Sequence, residues 1–217
     1  AHSCGILICN MSTLKDFRDE RLRKLADLKE LGFNPYPADS HRTHNAGDVK
    51  GAFDTLEGET VTVAGRVMGI RKFGKLAFIV VRDQTGELQL FIQEGKIAGR
   101  DAAAGVLAID DLPLLDTGDF IEASGPVIKT KTGEVSIEVQ TLRLLTKSLR
   151  PMPSKQEGFT NKEERMRRRY VDMNVNEDVR ERFVRRSKFW QATRDYLNQN
   201  GFIEVNVPVL EHTTGGA

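Results

Sequence analysis

The sequence predicts a mainly β chain with helices, organised around a small five-stranded barrel. Two patterns carry that reading. Residues 61–68, 76–83 and 88–93 are runs of β-branched, aromatic and aliphatic residues, split by Lys-Phe-Gly (72–74) and Gln-Thr-Gly (84–86), which reads as a three-stranded meander. Two more such runs, 119–125 and 135–145, follow an Ala/Gly-rich insert that has some capacity for helix. Composition sets the limits: 217 residues, 39% hydrophobic and 29% charged, suffice for one domain plus part of another. Lys+Arg 32 against Asp+Glu 31 leaves no bulk basic character, so any binding to nucleic acid must be local.

Five short strands with a helix-capable segment between the third and fourth are the ground plan of an OB-fold, which binds oligonucleotides on the face of its middle strands. Around it the chain divides into residues 1–10, an N-terminal helix and connector (11–58), the barrel (59–147), a linker (148–160) and a second domain's beginning (161–217). Residues 1–10 are expected to be a non-native extension ahead of Met11. Cys4 and Cys9 both lie there, so the body has neither a disulfide frame nor a cysteine zinc site, as suits a reducing compartment. No apolar run approaches the roughly 18 to 20 residues of a membrane helix.

Thr13 to Leu31 is helical by pattern, with Thr13 as N-cap, Gly32 as C-cap and Leu14, Phe17, Arg21, Leu25 and Leu28 on one face. Asn-Pro-Tyr-Pro (34–37) forbids its continuation. The helix is either a charged cover packed on the barrel or an RNA contact through Arg18, Arg21 and Lys24. His41 and His44 in the connector are weak evidence for a metal site, having no cysteine nearby.

In the barrel, a four-residue loop at 83–86 pairs Arg82 with Glu87, Val80 with Gln89 and Phe78 with Phe91. Phe78, Val80, Gln89 and Phe91 then share one face, while Leu88, Leu90 and Ile92 take the other and are the better core candidates. Two phenylalanines, an amide and rim cations (Arg66, Arg71, Lys75) are what a single-stranded nucleic acid needs for stacking, base-edge reading and phosphate contact. The competing reading puts both rings in the core under a neighbouring loop. Lys129 and Lys131 at the tip before Glu134 are solvated unless that face is the RNA site.

Pro151 and Pro153 mark the linker, after which composition shifts. Between Asn161 and Arg194 there are eleven Lys/Arg and six Asp/Glu, the one local basic excess in the chain. Arg165, Arg167, Arg168 and Arg169 either touch RNA phosphates or pair with acidic residues of their own domain. A helix capped by Asn176 runs to about Asn200, with Val179, Phe183, Trp190 and Leu197 on one face and Gly201 ending it. Residues 202–210 read as a strand that Pro208 closes.

This long helix followed by Gly-Phe-Ile-Glu-Val-Asn-Val-Pro-Val-Leu (201–210) resembles motif 1 of the class II aminoacyl-tRNA synthetases. With an upstream OB-fold it points to the lysyl, aspartyl and asparaginyl subclass. Leu144-Leu-Thr-Lys-Ser-Leu-Arg-Pro-Met-Pro, Lys129-Thr-Lys-Thr-Gly-Glu-Val-Ser, Arg165-Met-Arg-Arg-Arg-Tyr-Val-Asp and the terminal Gly-Gly-Ala are similar to lysyl-tRNA synthetase wording, over about Leu14 to Ala217. The resemblance implies that the barrel binds the anticodon of a lysine tRNA, the central uridine stacking on Phe78 and being read by Gln89, Arg71 and Glu134, with Phe91 beside them. It implies ligation of lysine to that tRNA with ATP and Mg2+, a cytoplasmic homodimer whose interface includes Trp190, Phe202, Val205 and Pro208, and an amino-acid pocket touched by Gly215 and Gly216. Motifs 2 and 3, with the ATP arginines and magnesium carboxylates, do not occur in these residues, and no Gly-x-x-x-x-Gly-Lys-Ser/Thr loop substitutes for them. The chain therefore reads as an N-terminal fragment, or as the ordered part of a longer chain, and these residues are expected to have no catalytic residue or cofactor of their own and no lysine-dependent ATP–pyrophosphate exchange. The alternatives are an aspartyl or asparaginyl identity and a stand-alone OB-fold protein.

Overall fold

The structure, a computed structural model, describes residues 13–153 and 159–207. Two compact units divide the chain between Met152 and Pro153. In the first, helix α1 (Leu14–Glu30) starts on a capping box, in which Thr13 Oγ1 accepts from the Asp16 N–H while the Asp16 carboxylate accepts from the Thr13 N–H at 2.7 Å. It stops at Gly32, whose φ of +86° is open to glycine. Only the C-terminal half of its expected apolar face is covered. Leu28 is fully buried, whereas Leu14 and Phe17 are 61% and 49% exposed.

Arg21 is buried on that face because its guanidinium finds three carbonyls, donating to Thr117, Ser148 and Arg150 at 2.9–3.2 Å. Lys24 pairs with Asp116 at 2.8 Å. Both side chains thus hold α1 to the barrel. Short helices α2 (Ala46–Gly51) and α3 (Phe53–Leu56) lead into the sheet.

The strands are β1 (Thr60–Phe73), β2 (Leu76–Arg82), β3 (Glu87–Gln93), β4 (Phe120–Lys129), β5 (Val135–Glu138) and β6 (Thr141–Thr146). Hydrogen-bonded order is β1-β2-β3-β5-β4-β6, and β4 also pairs with β1, so β1 to β5 close on themselves. Only β3 and β5 run parallel. This is an OB-fold barrel, and closure removes the open sheet edges of those strands. Strict alternation fills it: Ala77, Ile79 and Val81 of β2 and Leu88, Leu90 and Ile92 of β3 are all buried.

Three details depart from the sequence expectation. β1 runs on to Phe73 rather than ending near Met68, because the register shifts between Val67 and Gly69. One extra residue there breaks the apparent alternation without ending the pairing. The fifth strand is split into β5 and β6: between them Val139 N–H donates to the Phe91 carbonyl and Gln140 N–H to the Ser124 carbonyl, both at 2.8 Å. A Cβ at Gly125 would lie 1.9 Å from the Glu138 carbonyl oxygen, so the crossing needs glycine in β4. Finally, the alanines at 102–104 form a turn instead of a helix. Asp101 and Val106 bridge as an antiparallel pair, Gly105 takes φ +72°, and the helical piece is a 3₁₀ turn at Ile109–Leu114.

The second unit contains α4 (Lys162–Arg167), α5 (Arg169–Val175) and α6 (Glu177–Gln199). Its organising group is Asp172, fully buried, which accepts from Arg165 and Arg169 at 2.9 Å and from the Asn176 amide at 2.7 Å. Asn176 stands at the N-cap position, but its side chain makes no capping bond to the α6 backbone. Along α6, Val179 is buried while Phe183, Trp190 and Leu197 are 38%, 50% and 40% exposed. Gly201 (φ +84°) ends the helix. The described part of the expected 202–210 strand, residues 202–207, forms no strand, since no described segment offers it a ladder. Phe202, Ile203, Val205 and Val207 are 64–85% exposed. Pro208, Gly215 and Gly216 lie outside the described residues, as do Cys4, Cys9 and the expected extension at 1–10. Among the described residues no helix is long and apolar enough to cross a membrane.

Candidate nucleic-acid interface

The outward face of β1, β2 and β3 is where an aromatic cluster meets solvent. The 83–86 loop sets it up. The Asp83 carboxylate accepts from Thr85 N–H (2.7 Å), Thr85 Oγ1 (2.6 Å), Gly86 N–H (3.1 Å) and, from α2, Ala46 N–H (2.7 Å). Burial works against the charged form of Asp83, but these hydrogen bonds together outweigh it and hold the carboxyl below its ordinary range. The turn is closed by Asp83 N–H donating to the Gly86 carbonyl at 3.0 Å.

With the loop fixed, the register follows: Arg82 faces Glu87, Val80 faces Gln89 and Phe78 faces Phe91, the pairing the sequence predicts. β1 adds Arg71 opposite Phe78 and Gly69 opposite Val80, and β5 adds Glu138 opposite Phe91 and Ser136 opposite Gln89. One cross-strand row therefore reads Arg71, Phe78, Phe91, Glu138, and the next reads Gly69, Val80, Gln89, Ser136. Phe78 and Phe91 stack with centroids 5.2 Å apart and planes at 30°. Both rings are partly exposed, not core.

Charge near this face is mostly spent internally. Arg66 donates to the Gly118 carbonyl at 3.1 Å and lies 4.3 Å over the Phe120 ring. Burial, aided by the neighbouring Arg82, lowers its pKa. It is therefore not a rim cation. Lys75 pairs with Glu94 at 3.1 Å, Lys96 with Glu138 at 2.6 Å, and Lys129 lies 5.5 Å from the Phe53 ring. Glu134 sits one pleat before Ser136 on the approach to β5, its carboxylate bound to Lys50 of α2 at 2.7 Å. Arg71 is exposed, and neither its side chain nor that of Gln89 makes a hydrogen bond or ion pair with another described residue.

Phe73 is the residue that sequence reasoning misses, because Lys-Phe-Gly reads as a turn. It is 60% exposed and meets Phe78 edge to face, with centroids 6.3 Å apart and planes at 70°. Its signal was the two-residue step from Arg71, legible once the bulge is allowed for.

Comparison with known proteins shows what this barrel and the segment after it are similar to. Residues 61–145 match the family model of the OB-fold nucleic acid binding domain, and residues 161–217 match that of the class II tRNA synthetases (D, K and N). A lysine–tRNA ligase of Trichormus variabilis is 42% identical over 209 residues, which are 94% of this chain and 37% of that protein. Those of Clostridium novyi and Thermosipho africanus are each 40% identical, over 91% and 94% of this chain and 38% and 41% of theirs. The chain is a homologue of the lysine–tRNA ligases. It joins an OB-fold nucleic acid binding domain to class II synthetase sequence, and it spans about two fifths of the length of the curated relatives it matches.

In the basic segment of this synthetase homologue, the four arginines at 165 and 167–169 are engaged by acidic residues of the same segment. Arg165 and Arg169 hold Asp172, Arg167 pairs with Glu163 at 2.9 Å and Arg168 with Glu164 at 3.2 Å. Among the described residues no group of three or more His, Cys, Asp or Glu side chains is placed to hold a metal ion. His41 lies instead against Asp39, Glu122 and Arg143, and His44 against Thr43.

Proposed function

We propose that this chain supplies the anticodon-reading domain, and the start of the catalytic domain, of a lysine–tRNA ligase, which uses ATP to attach lysine to its tRNA. The observation that carries the reading is the stacked Phe78–Phe91 pair on a solvent-facing sheet with Arg71 and Gln89 uncommitted beside it. An unstacked base lays its face on the outer ring, for roughly 1–3 kcal/mol. Gln89 offers both a donor and an acceptor, which suits the O4 and N3–H of a uridine edge. Arg71 offers donors only, so it favours the carbonyl of uridine over the amino group that cytidine presents at the same place.

Glu134 joins this site from the start of β5, with Lys50 fixing its carboxylate. Lysine, ATP and Mg2+ would be bound by the whole ligase. Gly215 and Gly216 are proposed to border its amino-acid pocket. Trp190, Phe202, Val205 and Pro208 are proposed to contribute to a two-fold interface, the exposed apolar side chains of the first three being consistent with burial by a second copy.

The test is a titration of the chain with anticodon stem-loops that carry uridine or cytidine at the central position. Uridine should bind more tightly, Phe78→Ala should weaken binding about ten- to hundred-fold with the circular dichroism spectrum unchanged, and Gln89→Ala should narrow the uridine preference. Equal affinity of the unaltered chain for both loops would overturn the assignment.

A further inference from the structure

The aromatic face does not end at the Phe78–Phe91 pair. Phe73, the last residue of β1, projects from the same face as Arg71, one pleat nearer the β1–β2 turn. A large ring 60% exposed at a strand end, held only along one edge by another ring, has no packing role that accounts for it. Its row continues through Leu76 to Gln93, so an amide stands two strands away on that row, as Gln89 stands beside Phe78 and Phe91.

We propose that Phe73 is a second stacking platform, which takes the base adjacent to the one on Phe78. The ring planes decide the form of the ligand. Phe73 and Phe78 are inclined at 70° to each other, so two bases lying flat on them are inclined by a similar angle and cannot stack together. The site therefore selects consecutive nucleotides that are already splayed apart, as in a single-stranded loop, and it discriminates against a helical stack. The exposed Arg71, whose side chain has no described partner, stands one pleat from Phe73 on the same strand, and its five N–H donors are enough to meet both the uridine carbonyl and the phosphate joining the two nucleotides.

This inference rests on the barrel binding anticodon RNA, and the experiment separates the two. The chain and its Phe73→Ala variant are titrated, by fluorescence anisotropy, with a stem-loop of intact anticodon and with stem-loops abasic at the central, the preceding or the following nucleotide. Phe73→Ala should weaken binding of the intact loop by at least about five-fold. That loss should persist when the central base is removed and vanish when one of the flanking bases is removed, and Phe73→Trp should bind at least as tightly as the unaltered chain. A Phe73→Ala loss that vanishes only with the central base removed would make Phe73 a mere support for Phe78 and overturn the proposal. So would no loss at all on a loop that the unaltered chain binds. Absence of saturable binding by the unaltered chain would instead remove the anticodon reading itself, and this inference with it.

Discussion

Lys147 is fully buried, and its replacement by Met tests how the barrel is tied to the chain that leaves it. Its ammonium reaches Asp119 Oδ2 at 2.8 Å, Asp116 Oδ2 at 2.5 Å and the Leu114 carbonyl at 2.8 Å, so all three donors are used. Removing one member of a buried ion pair costs about 3–5 kcal/mol, because the partner charge stays behind without water. Here the partners keep other donors. Asp116 retains Lys24, while Asp119 accepts from the N–H groups of Asp116 and Ser148, both at 2.7 Å. That places Lys147→Met near ~3 kcal/mol, a large part of the ~5–15 kcal/mol that stabilises a typical domain. Urea unfolding should be followed by far-ultraviolet circular dichroism. The single tryptophan, Trp190, belongs to the second unit and not to the barrel. A companion Lys147→Met, Asp119→Leu variant should recover little stability, since it removes the acceptor of two partly buried N–H groups, at up to about 1–3 kcal/mol each. A loss under ~1 kcal/mol for the single variant, or full recovery in the double, would refute the view that these charges form one interdependent joint.

Two further predictions concern charges that the fold already engages. Arg167 and Arg168 are paired within their own helical segment, so replacing both by Gln should leave the slope of log affinity for tRNA against log salt unchanged; a fall of about 1.4 to 1.8 units would show that they neutralise phosphates. Burial works against charged Glu122, but hydrogen bonds from the Ser40 hydroxyl, the His41 N–H and Arg143 outweigh it and lower its pKa. A depressed carboxyl stabilises fully above its unfolded pKa of about 4.3 and loses that contribution as pH falls through the folded value. The gap in thermal midpoint between the chain and Glu122→Gln should therefore narrow below about pH 4.3, and a constant gap from pH 7 to 3 would exclude Glu122 as its source.

The register of the candidate face was legible in the sequence because local rules over-determine it. Asp-Gln-Thr-Gly closes a four-residue loop, alternation on both flanks leaves a single register that buries Leu88, Leu90 and Ile92, and Phe78, Val80, Gln89 and Phe91 must then face outward together. Nothing comparable constrained β1, where a bulge at Met68 interrupts the two-residue period and hid Phe73 inside an apparent turn. Arg21 was legible as a member of the helix's inner face, but not as a buried donor. Its three carbonyl partners lie 96 to 129 residues away, beyond the reach of any local pattern.

Net charge near zero had suggested that any nucleic-acid contact must be local, and the ion pairs give that a physical form. Around the outward face Lys75, Lys96 and Lys50 each meet a carboxylate, and Arg66 is absorbed by a carbonyl and a ring. The side chains of Arg71 and Gln89 remain with no described partner, and both flank partly exposed rings. A surface rich in unpaired cations would bind any polyanion with an affinity set mainly by salt. Pairing most of them makes the surface depend on stacking and base edges, which only an unpaired loop presents. On the proposed anticodon reading, this internal pairing favours single-stranded ligands at the face. Restoring a free cation, for instance by Glu94→Gln beside Lys75, would be expected to raise affinity for duplex and loop alike and so to erode that preference.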